Sequence, residues 1–303
     1  MRLFVVGGSG FLGSRTVRHA LAAGHQVTGL ARGGSGAGRL TALGAKVVRG
    51  DLDDAAALRG AFAETKADAL LNIASLGFGH ADTIVETAVR AHLTRALFVS
   101  TTGIFTALDP PSKQTRLAAE NTIRTSGLDW TIIRPTMIYG GPDDRNMARL
   151  LNLLQHWPML PIPLPAGGHQ LHQPVHVDDL AELLVRAVEL DITIGRTYNA
   201  AGPAPLTLRQ VVEQAGAAAG RRPRCLPIPV RPVAALIGSY ERRSARPRLK
   251  REQISRLTED KAFSIADAVR DLGFAPRPFA TGIRQEAALC RSQKAARRGR
   301  TGR

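Results

Sequence analysis

The sequence predicts a doubly wound α/β protein, in which a parallel sheet is covered by helices on both faces. Short apolar runs alternate with segments of helical spacing through the first half of the chain, and the run Leu3–Val6 leads directly into a glycine-rich turn. Strands that are separated by helices form βαβ units, and their strands are parallel and buried on both faces. This burial explains why a run such as Leu70–Ile73 is almost continuously apolar.

The predicted strands follow one another at intervals that leave room for a helix between them. They are Leu3–Val6, Gln26–Ala31, Lys46–Val48, Ala69–Ile73, Ala96–Ser100 and Trp130–Arg134. The clearest predicted helices are Ser14–Ala23, Ala81–His92 and Lys113–Thr125.

The alternation ends after Tyr139. Residues 157–174 are rich in proline and glycine and are predicted to form a long loop. Three elements are predicted beyond it: a helix over Leu180–Leu190 with Asp178 or Asp179 as its N-cap, a strand over Thr197–Ala200, and a helix from Leu206 to Gly220.

The net charge of +16 is concentrated in two segments. Residues 221–251 hold ten Lys or Arg against one acid, and residues 291–303 hold six against none. The second segment is too polar to fold alone, so we expect a disordered, solubilising tail and no nucleic-acid partner. Nucleic acid or another anionic surface is the alternative.

Several classes of protein are disfavoured by composition. No apolar run reaches the roughly 18 residues of a membrane span, and the glycines near the N-terminus come too early for a signal peptide. Cys225 and Cys290 give no disulfide framework, and His169, His172 and His176 have no carboxylate or cysteine at metal-ligand spacing. We expect a cytoplasmic protein without a metal.

The turn after the first strand reads Gly7-Gly8-Ser9-Gly10-Phe11-Leu12-Gly13 and leads into a helix. A tight turn needs the free φ of glycine, the backbone must approach a pyrophosphate without a Cβ, and the last glycine lets helix and strand pack closely. The helix N-terminus then binds the anion. The order of strand, glycines and helix therefore predicts a dinucleotide site. Its expected contacts are Gly7, Ser9, Gly10, Phe11, Leu12 and Gly13.

The end of the second strand bears on which dinucleotide is bound. An NAD-specific chain places an acid there for the 2′-hydroxyl of the ribose. This strand ends at Arg32, whose guanidinium suits a 2′-phosphate, so NADP is slightly favoured over NAD. An exposed arginine without a ligand is the alternative. The ends of the third and fourth strands supply the remaining expected contacts, which are Asp51, Leu52, Ile73, Ala74 and Ser75.

Further segments match a known pattern: Phe98–Phe105, Arg134–Gly140, Pro174–Ala181, Tyr198–Gly202 and Asp267–Pro276. With the glycine turn, they resemble the extended and atypical short-chain dehydrogenase/reductases, close to the nucleotide-sugar epimerase/dehydratase branch, up to about residue 290. The resemblance implies a Rossmann-type domain and a smaller C-terminal α/β substrate domain. The first would comprise residues 1–139 with 172–200 and the second residues 140–171 with 201–290, followed by the tail 291–303.

One match to this family fails. In the family a Tyr stands four residues before a Lys, which lowers the pKa of the phenol so that it can act as acid and base. In one register Ser112 takes the Tyr position and Arg116 the Lys position; in the other, Asp109 and Lys113 do. Neither register supplies a phenol, so the resemblance is to an atypical member.

The resemblance implies an NAD(P)-dependent epimerase, dehydratase or reductase for a nucleotide sugar or related metabolite. Thr101, Lys113 and Arg116 would be its catalytic residues, and Lys113 and Pro135 would also contact the cofactor. The expected substrate contacts are Thr102, Tyr139, Arg145 and Asn146.

Other functions stay open. The missing phenol is also typical of a non-catalytic NAD(P)(H)-binding redox sensor or scaffold. Residues 229–251 join an apolar stretch to basic residues; we expect them to cover the substrate domain, and peripheral membrane contact or a lipid carbonyl substrate is the alternative. Relatives often pair, so the resemblance implies a homodimer.

Overall fold

A computed structural model describes residues 1–144, 146–156, 161–243 and 258–301, with residues 234, 236, 242 and 294–301 described as backbone only. The strands in this part of the chain are β1 (Arg2–Val6), β2 (Gln26–Ala31), β3 (Lys46–Arg49), β4 (Ala69–Asn72), β5 (Arg95–Val99), β6 (Asp129–Pro135), β7 (Ile138–Tyr139), β8 (Ile162–Pro165), β9 (Leu171–His172), β10 (Val175–His176), β11 (Arg196–Ala200), β12 (Leu206–Thr207) and β13 (Cys225–Ile228). The α-helices are α1 (Phe11–Ala22), α2 (Gly34–Ala42), α3 (Ala55–Thr65), α4 (Ala81–Arg90), α5 (Pro111–Arg124), α6 (Met147–His156), α7 (Val177–Glu189), α8 (Leu208–Ala218), α9 (Val230–Arg243), α10 (Ala266–Leu272) and α11 (Phe279–Thr301).

Seven parallel strands form the central sheet in the order β11-β6-β5-β4-β1-β2-β3. The predicted doubly wound fold is confirmed, and each predicted strand of this sheet matches its observed bounds within one residue. From β1 the chain adds strands towards the edge at β3, and from β4 it adds strands towards the opposite edge at β11. The direction in which strands are added therefore reverses between the neighbouring strands β1 and β4. Ligands of such sheets bind outside the carboxyl ends of the strands at this point.

The sheet is buried on both faces. In β1, Leu3 and Val5 point into a core formed with α1 and α7, whereas Phe4 and Val6 point into a core formed with α3, α4 and α5. Side chains of a strand alternate between its faces, so two cores require apolar residues at every position. This requirement accounts for the apolar runs that predicted the strands.

A third apolar cluster lies outside the sheet. It is built from α6, α8, β8 and the first half of α11 around the fully buried side chain of Tyr139. Gly282 of α11 packs on this ring, because a Cβ at that position would lie 2.2 Å from the Tyr139 hydroxyl.

Three local predictions differ from the structure. Residues 157–174 do not form a plain loop: β8 pairs with β13, and β9 pairs with β12, while residues 157–160 lie outside the described residues. The N-cap of α7 is His176, whose Nδ1 accepts from the Asp178 N–H, and Asp178 and Asp179 occupy the first helical turn. Their negative charges there favour the helix N-terminus.

A helix that the sequence analysis does not predict extends into the expected tail. It runs to Thr301, whereas the sequence predicts a disordered tail from residue 291. The helix begins among buried residues such as Phe279 and Ile283, which nucleate it, and propagation from an existing helix is far easier than a new start. In the described part of the chain, no helix is long and apolar enough to cross a membrane.

Helix α11 is joined to the turn after β7 through a buried carboxyl group. Glu286 is fully buried, and its Oε2 accepts from the Gly140 N–H at 3.0 Å. Burial, followed by the negative charge of the neighbouring Asp144, raises the pKa of Glu286 to about 8. The side chain is therefore protonated in the folded protein at neutral pH.

We expect Glu286→Gln to remove a decline of stability between about pH 5 and pH 8. In the unfolded chain Glu286 ionises at its ordinary pKa, and in the folded chain it ionises only near pH 8. The free energy of unfolding is therefore highest below the ordinary pKa. It falls by about 1.4 kcal/mol per pH unit as the pH rises towards the higher value. Urea unfolding of both proteins at several pH values measures this slope. The exposed Glu182, changed to Gln, is the control, and equal slopes for Glu286→Gln and the native protein would contradict the assignment.

Candidate cofactor and substrate site

The glycine turn forms a tight cradle between β1 and α1. Gly7 has a φ of +81°, and a Cβ at Gly13 would lie 2.1 Å from the Gly7 carbonyl oxygen. Helix α1 has no side-chain cap at Gly10, so its first N–H groups are left without helical acceptors. The cradle therefore offers backbone donors to an anion at a distance that only glycine permits, and it fits the pyrophosphate of a dinucleotide.

A cavity of about 700 Å³ opens on one side of this turn. Gly7 and Ser9 line it from the turn, and Arg32 lines it from the end of β2. Asp51, Leu52 and Ala74, which the sequence predicts as cofactor contacts, also line it. Its polar lining also includes Asp53 and His80, which form an ion pair at 3.5 Å when His80 is protonated and which the sequence did not single out.

A second cavity of about 430 Å³ lies on the other side of the turn, at the carboxyl ends of β4, β5 and β6. Predicted residues from separate segments meet there; they are Phe11, Leu12, Ile73, Ser75, Thr101, Arg116 and Pro135. The turn thus lies between this second cavity and the first one, which is here named the adenosine cavity after the half of the cofactor that the sequence predicts there.

Arg116 lines the second cavity, and Ser112 is its direct partner. The Arg116 Nη1 donates to the Ser112 Oγ at 2.6 Å, one helical turn away. The guanidinium also lies against Gly77, where a Cβ would come within 3.0 Å of it. The register that pairs Ser112 with Arg116 is therefore the one that faces the cavity.

Lys113 points elsewhere. Its Nζ donates to the carbonyl oxygens of Thr106 and Leu108, at 2.7 and 3.5 Å, and the side chain is not part of the cavity wall. The structure thus does not place Lys113 in the catalytic or cofactor-binding position predicted for it. A lysine so early in α5 reaches the loop before the helix rather than the ends of the strands.

The two threonines after β5 have different surroundings. Thr101 lines the cavity, and its Oγ1 accepts from the Gly103 N–H at 3.1 Å. Thr102 is buried and its hydroxyl donates to the Pro135 carbonyl oxygen at 3.3 Å, so it does not face the cavity as a substrate contact would.

The other predicted substrate contacts are not in the described wall of this cavity. Tyr139 is fully buried against His176 and Phe279, and burial raises the pKa of its phenol far above the usual value. It cannot replace the missing acid. Asn146 is exposed in the turn before α6, where its N–H donates to Asp144, and Arg145 lies outside the described residues.

A buried ion pair between Glu120 and Arg134 lies next to the wall of the second cavity. Glu120 accepts from Arg134 and, at 2.6 Å, from the Ser100 hydroxyl, which belongs to the cavity wall. Burial alone would raise the pKa of Glu120, but the hydrogen bonds from Arg134 and Ser100 reverse this and lower it. Ser100 therefore donates its proton to a carboxylate and presents only lone pairs to a ligand.

Two cavity residues come from a segment that the sequence did not single out. Residues 258–264, here named the strap, cross the mouth of the second cavity and contribute Glu259 and Lys261 to its wall. Glu259 accepts from the Thr106 hydroxyl at 2.5 Å and from the Ala107 N–H at 2.8 Å. The backbone N–H of Lys261 donates to the Leu171 carbonyl oxygen at 2.7 Å.

No sequence pattern marks the strap, because it is placed by contacts with residues about 90 and 150 positions away. The polar run Glu259-Asp260-Lys261 is the only local signal. Among the described residues, no three His, Cys, Asp or Glu side chains are grouped to hold a metal ion.

Comparison with known proteins agrees with this geometry. Residues 7–189 match the family described as NAD(P)H-binding, and the chain belongs to that family. It is 32% identical over 219 residues to an uncharacterized protein of Mycobacterium tuberculosis, covering 71% of this chain and 23% of that protein. It is 26% identical over 245 residues to a 4-hydroxy-2-methyl-3-oxo-4-farnesyl-3,4-dihydroquinoline-1-oxide ketoreductase of Stigmatella aurantiaca, covering 69% and 70%.

The fold is similar to that of a nucleoside-diphosphate-sugar epimerase of Pseudomonas aeruginosa, with a TM-score of 0.79 at 17% identity over 97% of this chain and 98% of that one. Family and fold together define an NAD(P)H-binding protein whose fold is similar to that of a nucleoside-diphosphate-sugar epimerase. The chain spans less than a quarter of the mycobacterial relative's length.

We expect Gly13→Ala to abolish or strongly weaken dinucleotide binding. The added methyl group would overlap the Gly7 carbonyl oxygen and push α1 away from β1, so the N–H groups would no longer converge on the pyrophosphate. Titration of NADPH fluorescence measures the affinity, and a loss of about a hundredfold or more is expected.

Gly60→Ala is the matched control, because Gly60 lies in α3 with nothing within 4 Å of an added Cβ. The melting temperature of each variant shows whether it remains folded. A folded Gly13→Ala protein with the affinity of the control would contradict the cradle.

Proposed function

We propose that the protein catalyses carbonyl–alcohol redox chemistry with NAD(P)(H) on a small metabolite, as a reductase, epimerase or dehydratase. The observation that carries this proposal is the second cavity, which places Thr101, Arg116 and Lys261 together at the carboxyl ends of the strands. The bound nicotinamide would supply or accept the hydride.

Each of these residues has a distinct part in the proposal. As a donor, the Thr101 hydroxyl makes a long, 3.5 Å contact with the Pro135 carbonyl oxygen. A contact of this length is weak, so the hydroxyl is available to donate to a substrate oxygen. Arg116 stabilises negative charge on that oxygen but does not release a proton near neutral pH. Lys261 can release one, and we assign it the role of proton donor that the missing phenol leaves open.

Stopped-flow and steady-state absorbance with NADPH or NADH test this function. Nucleotide sugars are the first substrates to try, because the fold is similar to that of a nucleoside-diphosphate-sugar epimerase. Aromatic and prenylated ketones are the second, because of the similarity to a ketoreductase. A redox change of the bound cofactor in the presence of one substrate class is the expected result.

We expect Lys261→Met to lower kcat by about a hundredfold or more and to leave the affinity for NADPH unchanged, since general acids typically contribute factors of that size. Thr101→Val should lower kcat/KM as well. Lys46→Met, at the exposed start of β3, is the control. If kcat of Lys261→Met equals that of the control, the proton donor is another group.

The alternative is a non-catalytic redox sensor or scaffold, which the serine at position 112 in place of a phenol favours. The same titration separates the two functions. Tight binding of NADPH over NADP⁺, or the reverse, with no redox change for any substrate class would favour the sensor.

We further propose that NADP(H) is the preferred dinucleotide, supported by Arg32 in the wall of the adenosine cavity and by the absence of an acid at the end of β2. Removing the guanidinium in Arg32→Ala should weaken NADPH binding by about tenfold to a hundredfold, the range of hydrogen bonds to charged groups, and leave NADH binding nearly unchanged. The exposed Arg59, changed to Ala, controls for net charge. Equal losses for NADPH and NADH would contradict 2′-phosphate recognition.

A further inference from the structure

The structure brings together two basic segments that lie about 70 residues apart in the sequence. Helix α8 ends at Ala218, and its carbonyl oxygen accepts from the Nη1 of Arg291 in α11 at 3.2 Å. Arg221, Arg222 and Arg224 follow α8 directly. We name these three arginines, with α11 from Arg291 to Thr301, the basic face.

The three arginines after α8 are held on a fixed backbone. The Arg221 N–H donates to the Gly216 carbonyl oxygen at 2.8 Å, and the Arg224 carbonyl oxygen accepts from Ile162 at 2.8 Å. Pro223 packs directly on Gly216, where a Cβ would lie 2.3 Å away from the proline ring. Their side chains are exposed although their backbone is anchored, which is the arrangement of a preformed binding surface.

No acid balances these cations along the segments that form the face. Residues 214–240 contain no Asp or Glu, and neither does the chain after Glu286. Glu286 itself is buried and, with a pKa of about 8, carries no charge at neutral pH. The neighbouring groove is lined by the exposed Asp143, the buried Asp144 and the base Arg149.

The helical end of α11 concentrates like charges. Its last eleven residues hold five cations, Arg291, Lys294, Arg297, Arg298 and Arg300. Like charges three or four residues apart destabilise a helix; propagation from the buried first half of α11 and the negative C-terminal end of the helix dipole offset this. A bound polyanion would reduce the repulsion between these charges.

We propose that the basic face binds the phosphate backbone of double-stranded nucleic acid. The chain after Leu289 has no apolar residue larger than alanine or cysteine, so the α11 part of the face has no anchor for a lipid bilayer. Leu226 and Leu289, which flank the two segments in sequence, are exposed, and the vesicle experiment below tests whether they insert into a bilayer. Neither segment contains an aromatic residue for stacking on unpaired bases, which single-strand binders use. Eleven helical residues extend about 16 Å, enough to follow several phosphates of one strand.

Fluorescence anisotropy with the full chain tests this proposal. The probes are a labelled 20-base-pair DNA, the RNA duplex of the same sequence, and each single strand, at several KCl concentrations between 50 and 200 mM. We expect binding of the duplexes without sequence preference and a slope of log K against log [KCl] of about −4 or steeper, as for five or more phosphate contacts.

The variant Arg221→Gln/Arg222→Gln/Arg224→Gln should weaken duplex binding at least about tenfold and reduce the slope by about 3. A second variant, Lys294→Gln/Arg297→Gln/Arg298→Gln/Arg300→Gln, should lose at least as much affinity for the duplex. The matched control, Arg18→Gln/Arg59→Gln/Arg196→Gln, removes the same charge from exposed positions elsewhere and should stay within about twofold of the native protein. NADPH affinity and melting temperature show that each variant is folded.

Three results would overturn the proposal. The first is no duplex binding at 50 mM KCl. The second is an equal loss of affinity in the control variant, which would show that net charge rather than the face is responsible. The third is sedimentation with phosphatidylcholine vesicles containing phosphatidylserine, at a higher affinity than for the duplex, which would make the face a membrane contact.

Discussion

The close approach of Gly13 to the Gly7 carbonyl oxygen is the constraint on which the rest of the site depends. It brings the first turn of α1 onto the carboxyl end of β1 with no side chain between them. Helix α1 is then held in place by packing on α7, and its N-terminus points at the reversal of strand order. The glycine turn thereby forms the wall between two cavities. If the adenosine half of a dinucleotide occupies one cavity, its nicotinamide half is expected in the other.

The second cavity has a different set of polar residues from the one that the family resemblance implies. The resemblance implies a proton donor on the helix that corresponds to α5. Here that helix offers Ser112 hydrogen-bonded to Arg116, a pair that can hold charge but does not donate a proton at neutral pH. Lys261 enters the same space from the strap, which is anchored to the loop after β5 by Glu259. Under the proposed function, catalysis without the phenol requires that the strap stay docked.

The sequence was sufficient for the parts of the structure that depend on local burial and backbone sterics. Strands buried on both faces are apolar throughout, which is why their bounds were predicted within one residue, and the glycines of the turn are required by close backbone contact. Positions set by contacts between distant segments could not be predicted. Lys113 and Arg116 differ by less than one helical turn, yet only the tertiary position of α5 shows that Arg116 faces the cavity.

Tyr139 illustrates the same limit. It follows β6 in a motif that the family resemblance places beside the nicotinamide, so its sequence position suggested a ligand contact. Its ring instead fills the third apolar cluster, because Gly282 from the far end of the chain leaves room for it. The neighbouring residue, Ile138, is the one that lines the cavity. Successive residues of a strand point to opposite sides, and which side faces the ligand depends on α11.

Helix α11 divides near Cys290 into two parts with different sources of stability. The first part is held by burial of Phe279, Ile283 and Ala287 and by the bond between Glu286 and Gly140. Beyond Cys290 the described side chains, Arg291 to Gln293, are exposed, and Arg291 donates a hydrogen bond to the end of α8. No residue of α11 belongs to the described lining of either cavity, so a ligand on the basic face would not contact the cofactor. The two sites can therefore act independently unless they are linked through Glu286, which joins the helix to Gly140 and Asp144 in the turn after β7.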